Sequence, residues 1–247
     1  MIDRGRLVYE GKAKRVYSME DTRYYLIEFK DDATAQDGRK KGVIQGKGAV
    51  NCQVSAVLFS HLNSRCLRTH FERLDGENRM VVRGLKMVPL EVVVRNLVAG
   101  SLARRLGISE GTKPAFPIVE FYFKSDELGD PLVTEDHVVA LGIATRQLVT
   151  ELREAALAVD REIEPFFGAI GLTLVDFKLE FGWCDGELVL GDEISPDTCR
   201  LWDAATGERL DKDRFRRDMG GVEEAYVEVL KRVTGKSSAV SSRGSAV

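Results

Sequence analysis

Residues 174–182, Leu174-Val175-Asp176-Phe177-Lys178-Leu179-Glu180-Phe181-Gly182, alternate strictly between apolar and ionisable side chains. A strand with this pattern turns Val175, Phe177, Leu179 and Phe181 to one face and Asp176, Lys178 and Glu180 to the other. At a rise of about 3.3 Å per residue, neighbouring polar side chains lie about 6.6 Å apart, a gap that admits a phosphate or a divalent cation. A solvated outer face has the same alternation, so the next residues decide. Cys184-Asp185-Gly186 forms a turn, Glu187 to Leu190 return antiparallel, and Gly191-Asp192-Glu193 arrive beside Glu180. Carboxylates that meet across a hairpin repel unless a cation or a base lies between them. Mg²⁺ takes one or two protein carboxylates and completes its shell with phosphate oxygens and water. The pattern points to a Mg²⁺–phosphate site at Glu180 and Asp192.

Three further segments carry charge in suggestive places. In Glu10-Gly11-Lys12-Ala13-Lys14 a glycine lets backbone approach a ligand, and two lysines flank one alanine. The spacing is not that of a Walker A loop, and two solvated lysines in an exposed turn read the same way. In the run from Val88 to Ser101, Glu91 and Arg95 share a face of an apolar strand, so each needs a partner, either the other or a ligand. Gly100-Ser101 before Leu102-Ala103-Arg104-Arg105-Leu106 reads as a helix start, either an ordinary cap or an anion site. In 192–203, Arg200 falls on a loop ordered by Pro196, where a guanidinium binds phosphate or carboxylate in a bidentate manner. The run Asp211-Lys212-Asp213-Arg214-Phe215-Arg216-Arg217 adds positive charge, with Lys212 and Arg217 read as surface residues.

These residues need a scaffold, and 247 residues suffice for one large domain or two modest ones. Hydrophobic residues make up 44% and charged residues 30%, values of an ordinary globular chain. The net charge of -3 gives no general attraction to nucleic acid or an anionic membrane, and we expect neither as a partner. Cys52, Cys66, Cys184 and Cys199 with His61, His70 and His137 offer no zinc spacing. Scattered thiols, no stretch of about 20 apolar residues and no apolar run after Met1 make the cytoplasm the expected compartment.

Strands are expected around Leu7–Tyr9, Arg15–Tyr17, Tyr24–Phe29, Arg79–Val82, Glu91–Arg95, Val119–Phe123 and in a hairpin over 172–192. Helices should follow Gly48 (Val50, Val54, Val57, Leu58, Leu62) and Thr145 (Leu148, Leu152, Ala155, Ala156, Val159, Ile163), the second stopped with the help of Pro165. A last helix carries Val222, Ala225, Tyr226, Val229, Leu230 and Val233. Tight strand–turn–strand links predict an α+β fold with largely antiparallel sheets. We divide it into regions 1–87 and 88–234, followed by a loose Ser-rich tail, 235–247.

Taken together, the Glu10–Lys14 turn, the Val88–Ser101 run, Val175–Gly182, Gly191–Trp202 with its Ser195-Pro196-Asp197, and Asp211–Arg216 resemble the SAICAR synthetase family over roughly Leu7 to Val233. The resemblance implies a fold related to ATP-grasp enzymes, with the nucleotide in a cleft between two α+β regions. It implies an ATP-dependent ligase of purine biosynthesis that joins the carboxylate of carboxyaminoimidazole ribonucleotide (CAIR) to L-aspartate, and a homodimer. By the same resemblance Lys12, Ala13 and Lys14 hold ATP phosphates, Arg83, Lys86 and Met87 line the adenine pocket, and Lys124 and Asp130 flank the nucleotide. Glu180 and Asp192 hold Mg²⁺. Arg95, Ser101 and Arg200 bind the ribonucleotide's phosphate and carboxylate, with Lys178 and Arg216 nearby, Asp176 meets its imidazole, and Lys178, Asp176 and Glu180 form the catalytic set. Gln36, in Thr34-Ala35-Gln36-Asp37-Gly38, departs from the small or aromatic residue expected there. A small-molecule kinase and a non-catalytic nucleotide-binding module are the alternatives. The first lacks its HRD–DFG and GxGxxG motifs here, and the second should have lost metal ligands.

Overall fold

The structure is a computed structural model that describes residues 2, 4–35 and 40–243, so the Gln36 reading lies outside the described residues. The chain opens with β1 (Leu7–Glu10), β2 (Lys14–Ser18) and β3 (Tyr24–Phe29), then a separate hairpin of β4 (Asp32–Ala35) and β5 (Lys40–Val43). After α1 (Lys47–Ser64) come β6 (Phe71–Leu74) and β7 (Arg79–Arg83). These complete an antiparallel sheet of order β1-β2-β3-β7-β6.

The chain crosses to a second sheet at Gly84-Leu85. Here follow β8 (Lys86–Arg95), α2 (Gly100–Leu106), β9 (Ile118–Phe123), β10 (Leu132–Val133), α3 (Glu135–Ala140) and α4 (Arg146–Gly168). The rest is β11 (Leu172–Cys184), β12 (Glu187–Leu190), β13 (Cys199–Asp203), α5 (Asp213–Arg216) and α6 (Val222–Arg243). The second sheet runs β10-β9-β8-β11-β12, again antiparallel, with β13 also paired to β11. The fold is α+β.

The long strand β11 organises the site. One edge pairs with β8, and the other is shared, β13 along 172–177 and β12 along 181–184. In the gap between those partners the 191–198 loop closes on β11: Lys178 N–H donates to the Thr198 carbonyl (2.9 Å) and Gly191 N–H to that of Glu180 (2.9 Å). The predicted alternation holds, with Val175, Phe177, Leu179 and Phe181 buried in the core. That core is continuous between both halves. Phe29, Met80 and Val82 of the first sheet, Leu58 of α1, Leu152 and Ile163 of α4, and Tyr226 and Val229 of α6 all belong to it.

Leu58 is fully buried at the centre of α1. Leu58→Ala is expected to lower unfolding free energy by about 2–5 kcal/mol, read as a lower urea midpoint.

Two expectations about helix ends are corrected. Pro165 lies inside α4, which runs on to Gly168, because in the last turn the missing proline N–H forfeits a single helical bond. Helix α6 continues to Arg243, through most of the segment expected to be a loose tail; serine and alanine do not break a helix already under way. No helix among the described residues is long and apolar enough to cross a membrane. All four cysteines are free.

Candidate active site

Between the two sheets lies a cleft of about 1220 Å³, floored by the polar face of β11 and walled by the β1–β2 hairpin, β8, the 191–200 segment and residues 122–130. Its middle is a compact cluster of lysines and carboxylates. Lys178 Nζ donates to Glu91 Oε1 (2.9 Å) and to Glu180, and lies 3.6 Å from Asp192 Oδ2. Thus a base does lie between Glu180 and Asp192. Lys124 donates to the other Glu180 oxygen (2.6 Å), and Lys14 pairs with Asp192 and with Glu193 (2.7 Å). Burial disfavours the Lys178 ammonium, but Glu180, Asp192 and Glu91 outweigh it and hold its pKa well above the ordinary lysine value. Lys14 behaves alike: burial opposes its charge, and Asp192 and Glu193 raise its pKa. Asp192 is disfavoured by burial yet kept below the usual carboxylate range, by Lys14 and then Lys178. Both lysines are ammonium ions at neutral pH.

Glu193 was not singled out from sequence, although it follows Asp192. Asp192 has φ +55°, a left-handed turn that interrupts strand alternation, so both carboxylates reach Lys14. Among the described residues no three His, Cys, Asp or Glu side chains converge as a metal cage. The donor set around Lys178 is instead two hard carboxylates, Glu180 and Asp192, beside open cleft. That chemistry fits a Mg²⁺ completed by phosphate and water.

Toward the first sheet the cleft becomes apolar, with Val16, Tyr25, Ile27, Val82, Leu85 and Met87 lining it alongside Arg83. Lys86 is exposed and is not among the lining residues: it starts β8 opposite Trp183, and alternation turns it away from its neighbour Met87. Lys12 and Ala13 line the hairpin side. Lys12, half exposed, reaches Asp126 across the opening (2.7 Å), whereas Lys14 turns inward, so the two lysines do not act as one pair. Asp130 lines the rim, but its Oδ1 accepts from the Ser125 N–H (2.8 Å) and is committed to its own turn.

The opposite end is rich in guanidinium. Strand register sets Asp176 across from Arg95 on β8 and Arg200 on β13. Arg95 Nη1 donates to Asp176 Oδ2 (2.8 Å), and Arg200 Nη1 to both Asp176 oxygens (2.9 and 2.8 Å). Arg95 also donates to Glu120 (2.8 Å), Ser101 Oγ (3.1 Å) and Tyr122 Oη (3.0 Å). The Glu91–Arg95 pair considered from sequence does not form, because Glu91 is held by Lys178. Arg200 is therefore a strand residue and not a loop residue; Arg200 and Arg216 both donate to Asp213 (3.0 and 2.7 Å). Ser101 is the second residue of α2, whose cap is Ala99, so its hydroxyl is free to meet Arg95. Lys212, expected at the surface, lines the cleft and donates to Asp197 (3.2 Å); burial lowers its pKa. Arg217 does stay outside, paired with Glu110.

One cleft thus joins an apolar slot, a cation–carboxylate centre suited to polyphosphate, and an arginine end suited to a second anion. The chain is similar to known proteins over nearly its whole length. A family model described as SAICAR synthetase matches residues 7–233. A phosphoribosylaminoimidazole-succinocarboxamide synthase of Coprothermobacter proteolyticus is 56% identical over 228 residues, 92% of this chain and 97% of that protein. The crystal structure of the synthase of that name from Ehrlichia chaffeensis superposes with a TM-score of 0.90 at 40% identity, covering 93% of this chain and 98% of the other. A structure described as SAICAR synthetase in complex with ADP gives a TM-score of 0.88 at 50% identity, covering 92% and 97%.

Proposed function

This chain belongs to the SAICAR synthetase family, and from that premise we propose that it is the ATP-dependent ligase of purine biosynthesis that condenses CAIR with L-aspartate to give SAICAR, ADP and phosphate. One observation carries the reading. The β11 cluster of Lys178, Glu180 and Asp192 stands in one cleft between the Gly11–Lys14 hairpin and the Arg95–Arg200 pair.

In this reading adenine enters the apolar slot beside Arg83 and Met87, and the ATP phosphates extend past Lys12, Ala13 and Lys14 to Lys178, with Lys124 and Asp130 at the rim. CAIR binds with its phosphate toward Ser101, Arg95, Arg200 and Arg216, so its carboxylate comes to the cluster centre. The carboxylate oxygen attacks the γ-phosphorus, and the bond to the β–γ bridging oxygen breaks to release ADP. The aspartate amine then attacks the acyl carbon, a C–N bond forms, and phosphate leaves with the C–O bond as the amine gives up a proton. No side-chain nucleophile is needed. The work of the chain is positioning and charge compensation by ammonium groups held protonated. Asp176, with both oxygens engaged by guanidinium groups, orients Arg95 and Arg200 beside the imidazole. Mg²⁺ held by Glu180 and Asp192 would offset charge on the transferring phosphoryl group. Four free cysteines suit the cytoplasm, and the family likeness suits a homodimer, which a monomeric mass in sedimentation would remove.

The test supplies ATP, Mg²⁺ and CAIR with and without L-aspartate. ADP and succinocarboxamide are expected only with aspartate; phosphoryl transfer indifferent to aspartate would favour a kinase. A finer prediction concerns Gly100, which has φ +54° and whose added Cβ would lie 2.4 Å from Arg200 Nη2. Gly100→Ala should displace the guanidinium and raise KM for CAIR about tenfold, with KM for ATP within about threefold, in steady-state kinetics.

A further inference from the structure

Of the lysines and arginines that line the cleft among the described residues, Lys212 alone has no task in the chemistry above. The 191–198 loop fixes it twice. Its N–H donates to the Pro196 carbonyl (3.2 Å), and its Nζ donates to Asp197 Oδ2 (3.2 Å). The same oxygen accepts from Nζ of Lys47 on α1 (3.0 Å), and Tyr226 Oη on α6 donates to Asp197 Oδ1 (2.7 Å). The side chains of Asp197 and Lys47 are 5% and 1% exposed, and Tyr226 is buried. Asp197 and Lys212 line the cleft, whereas Lys47 and Tyr226 stand behind its wall.

Charge in this cluster does not balance. One carboxylate faces two ammonium groups, and among the described residues neither Lys47 nor Lys212 pairs with a second carboxylate. A buried excess cation needs an anion. Lys47 is sealed, so the need falls to Lys212, whose side chain is 13% exposed and opens on the cleft. An ammonium has three N–H donors, and Asp197 takes one of them. The pKa of Lys212 moves the same way. Burial lowers it, and Asp197 does not make up the loss because Arg216 and Lys47 press on the same charge. We propose that Lys212 binds a carboxylate of L-aspartate, and that Lys47 is a positioning residue that leaves the Lys212 charge available by sharing Asp197. This rests on the reading of L-aspartate as substrate. That amino acid brings two carboxylates, and in the same reading the other cations of the cleft serve CAIR or ATP. Lys212 caps α5 and Arg216 ends it, so an anion on Lys212 adjoins the ribonucleotide end, as the attacking amine requires.

The test measures KM for L-aspartate, CAIR and ATP, with thermal unfolding, on wild type, Lys212→Met, Lys47→Met and Tyr226→Phe. Lys212→Met should raise KM for aspartate about tenfold to a hundredfold, the worth of one charge-assisted hydrogen bond, with KM for CAIR and ATP within about threefold. Lys47→Met gives Asp197 wholly to Lys212 and should raise KM for aspartate about tenfold, although it touches no substrate. Asp197 then keeps Lys212 and Tyr226, so its buried carboxylate is not stranded. Tyr226→Phe removes a hydrogen bond from that carboxylate but no charge, and should leave KM for aspartate within about threefold. Should Lys47→Met fail to fold, Lys47→Gln, which keeps a donor for Asp197 without the charge, takes its place. Wild-type KM for aspartate in Lys212→Met or in the Lys47 variant overturns the proposal, and so does an equal rise for CAIR or ATP. Matching losses in Lys47→Met and Tyr226→Phe, in step with melting temperature, show a packing role only and also overturn it. ADP release by the wild type that ignores aspartate removes the ligase reading itself, whereas aspartate dependence that these variants leave untouched removes this proposal alone.

Discussion

Asp192→Asn is expected to lower kcat about a hundredfold to a thousandfold, the range found when one preorganised electrostatic group is removed from a transition state. The substitution is chosen so that little else changes. Asparagine has the same shape and, with aspartate, tolerates the left-handed φ of +55° that this position adopts. Lys14 keeps Glu193 at 2.7 Å, and Lys178 keeps Glu91 at 2.9 Å and Glu180, so neither buried ammonium is stranded. Thermal unfolding should therefore move by no more than about 4 °C, the shift that about 1 kcal/mol gives in a chain of this size. What is lost is one negative charge at the point where phosphate and carboxylate must be brought together against their own repulsion. Steady-state rates at saturating ATP, CAIR and aspartate check the outcome, and an unchanged kcat would remove Asp192 from the phosphate-handling group.

The residues of that centre were readable because β11 has two faces with opposite demands. Asp176 and Glu180 are each 4% exposed, as buried as the apolar side chains behind them, yet the alternation survives because one face meets core and the other meets charge. The features that escaped are non-local or break a period. Glu193 was passed over because a regular strand would turn it away from Asp192, and only the left-handed turn brings both to Lys14. Arg200 was placed on a loop since Pro196 and two acids precede it; its strand exists because β11 is long enough to take a second partner beyond β12. Lys212 sits in a run of mixed charge that reads as solvated, and its burial comes from Asp197, which also binds Lys47 and Tyr226 from two distant helices. His70 is one histidine between Thr69 and Phe71 with no periodic signal, and it reaches the cleft because a parallel bridge sets Thr69 beside Leu190. Local pattern identified the strands and helices, and pairing between distant segments chose which polar residues meet.

The arginine end offers the complementary experiment, because its effect should fall on a different substrate. Arg200→Ala is expected to raise KM for CAIR about tenfold to a hundredfold, the worth of one or two charge-assisted hydrogen bonds, with KM for ATP within about threefold. Asp176 would retain Arg95 at 2.8 Å and Asp213 would retain Arg216 at 2.7 Å, so the two carboxylates facing Arg200 remain paired and the fold should persist. Arg200→Lys should recover only part of the loss. An ammonium cannot donate to Asp176 and Asp213 in the planar geometry of Nη1 and Nε and still turn a third N–H toward Gly100 and the cleft. The split between the two Michaelis constants is the decisive reading. Equal rises for ATP and CAIR would mean that Arg200 supports the whole cleft, and a rise for ATP alone would reverse the assignment of its two ends. A rise confined to CAIR, joined to a kcat loss confined to Asp192→Asn, would locate phosphoryl transfer between them, at Lys178.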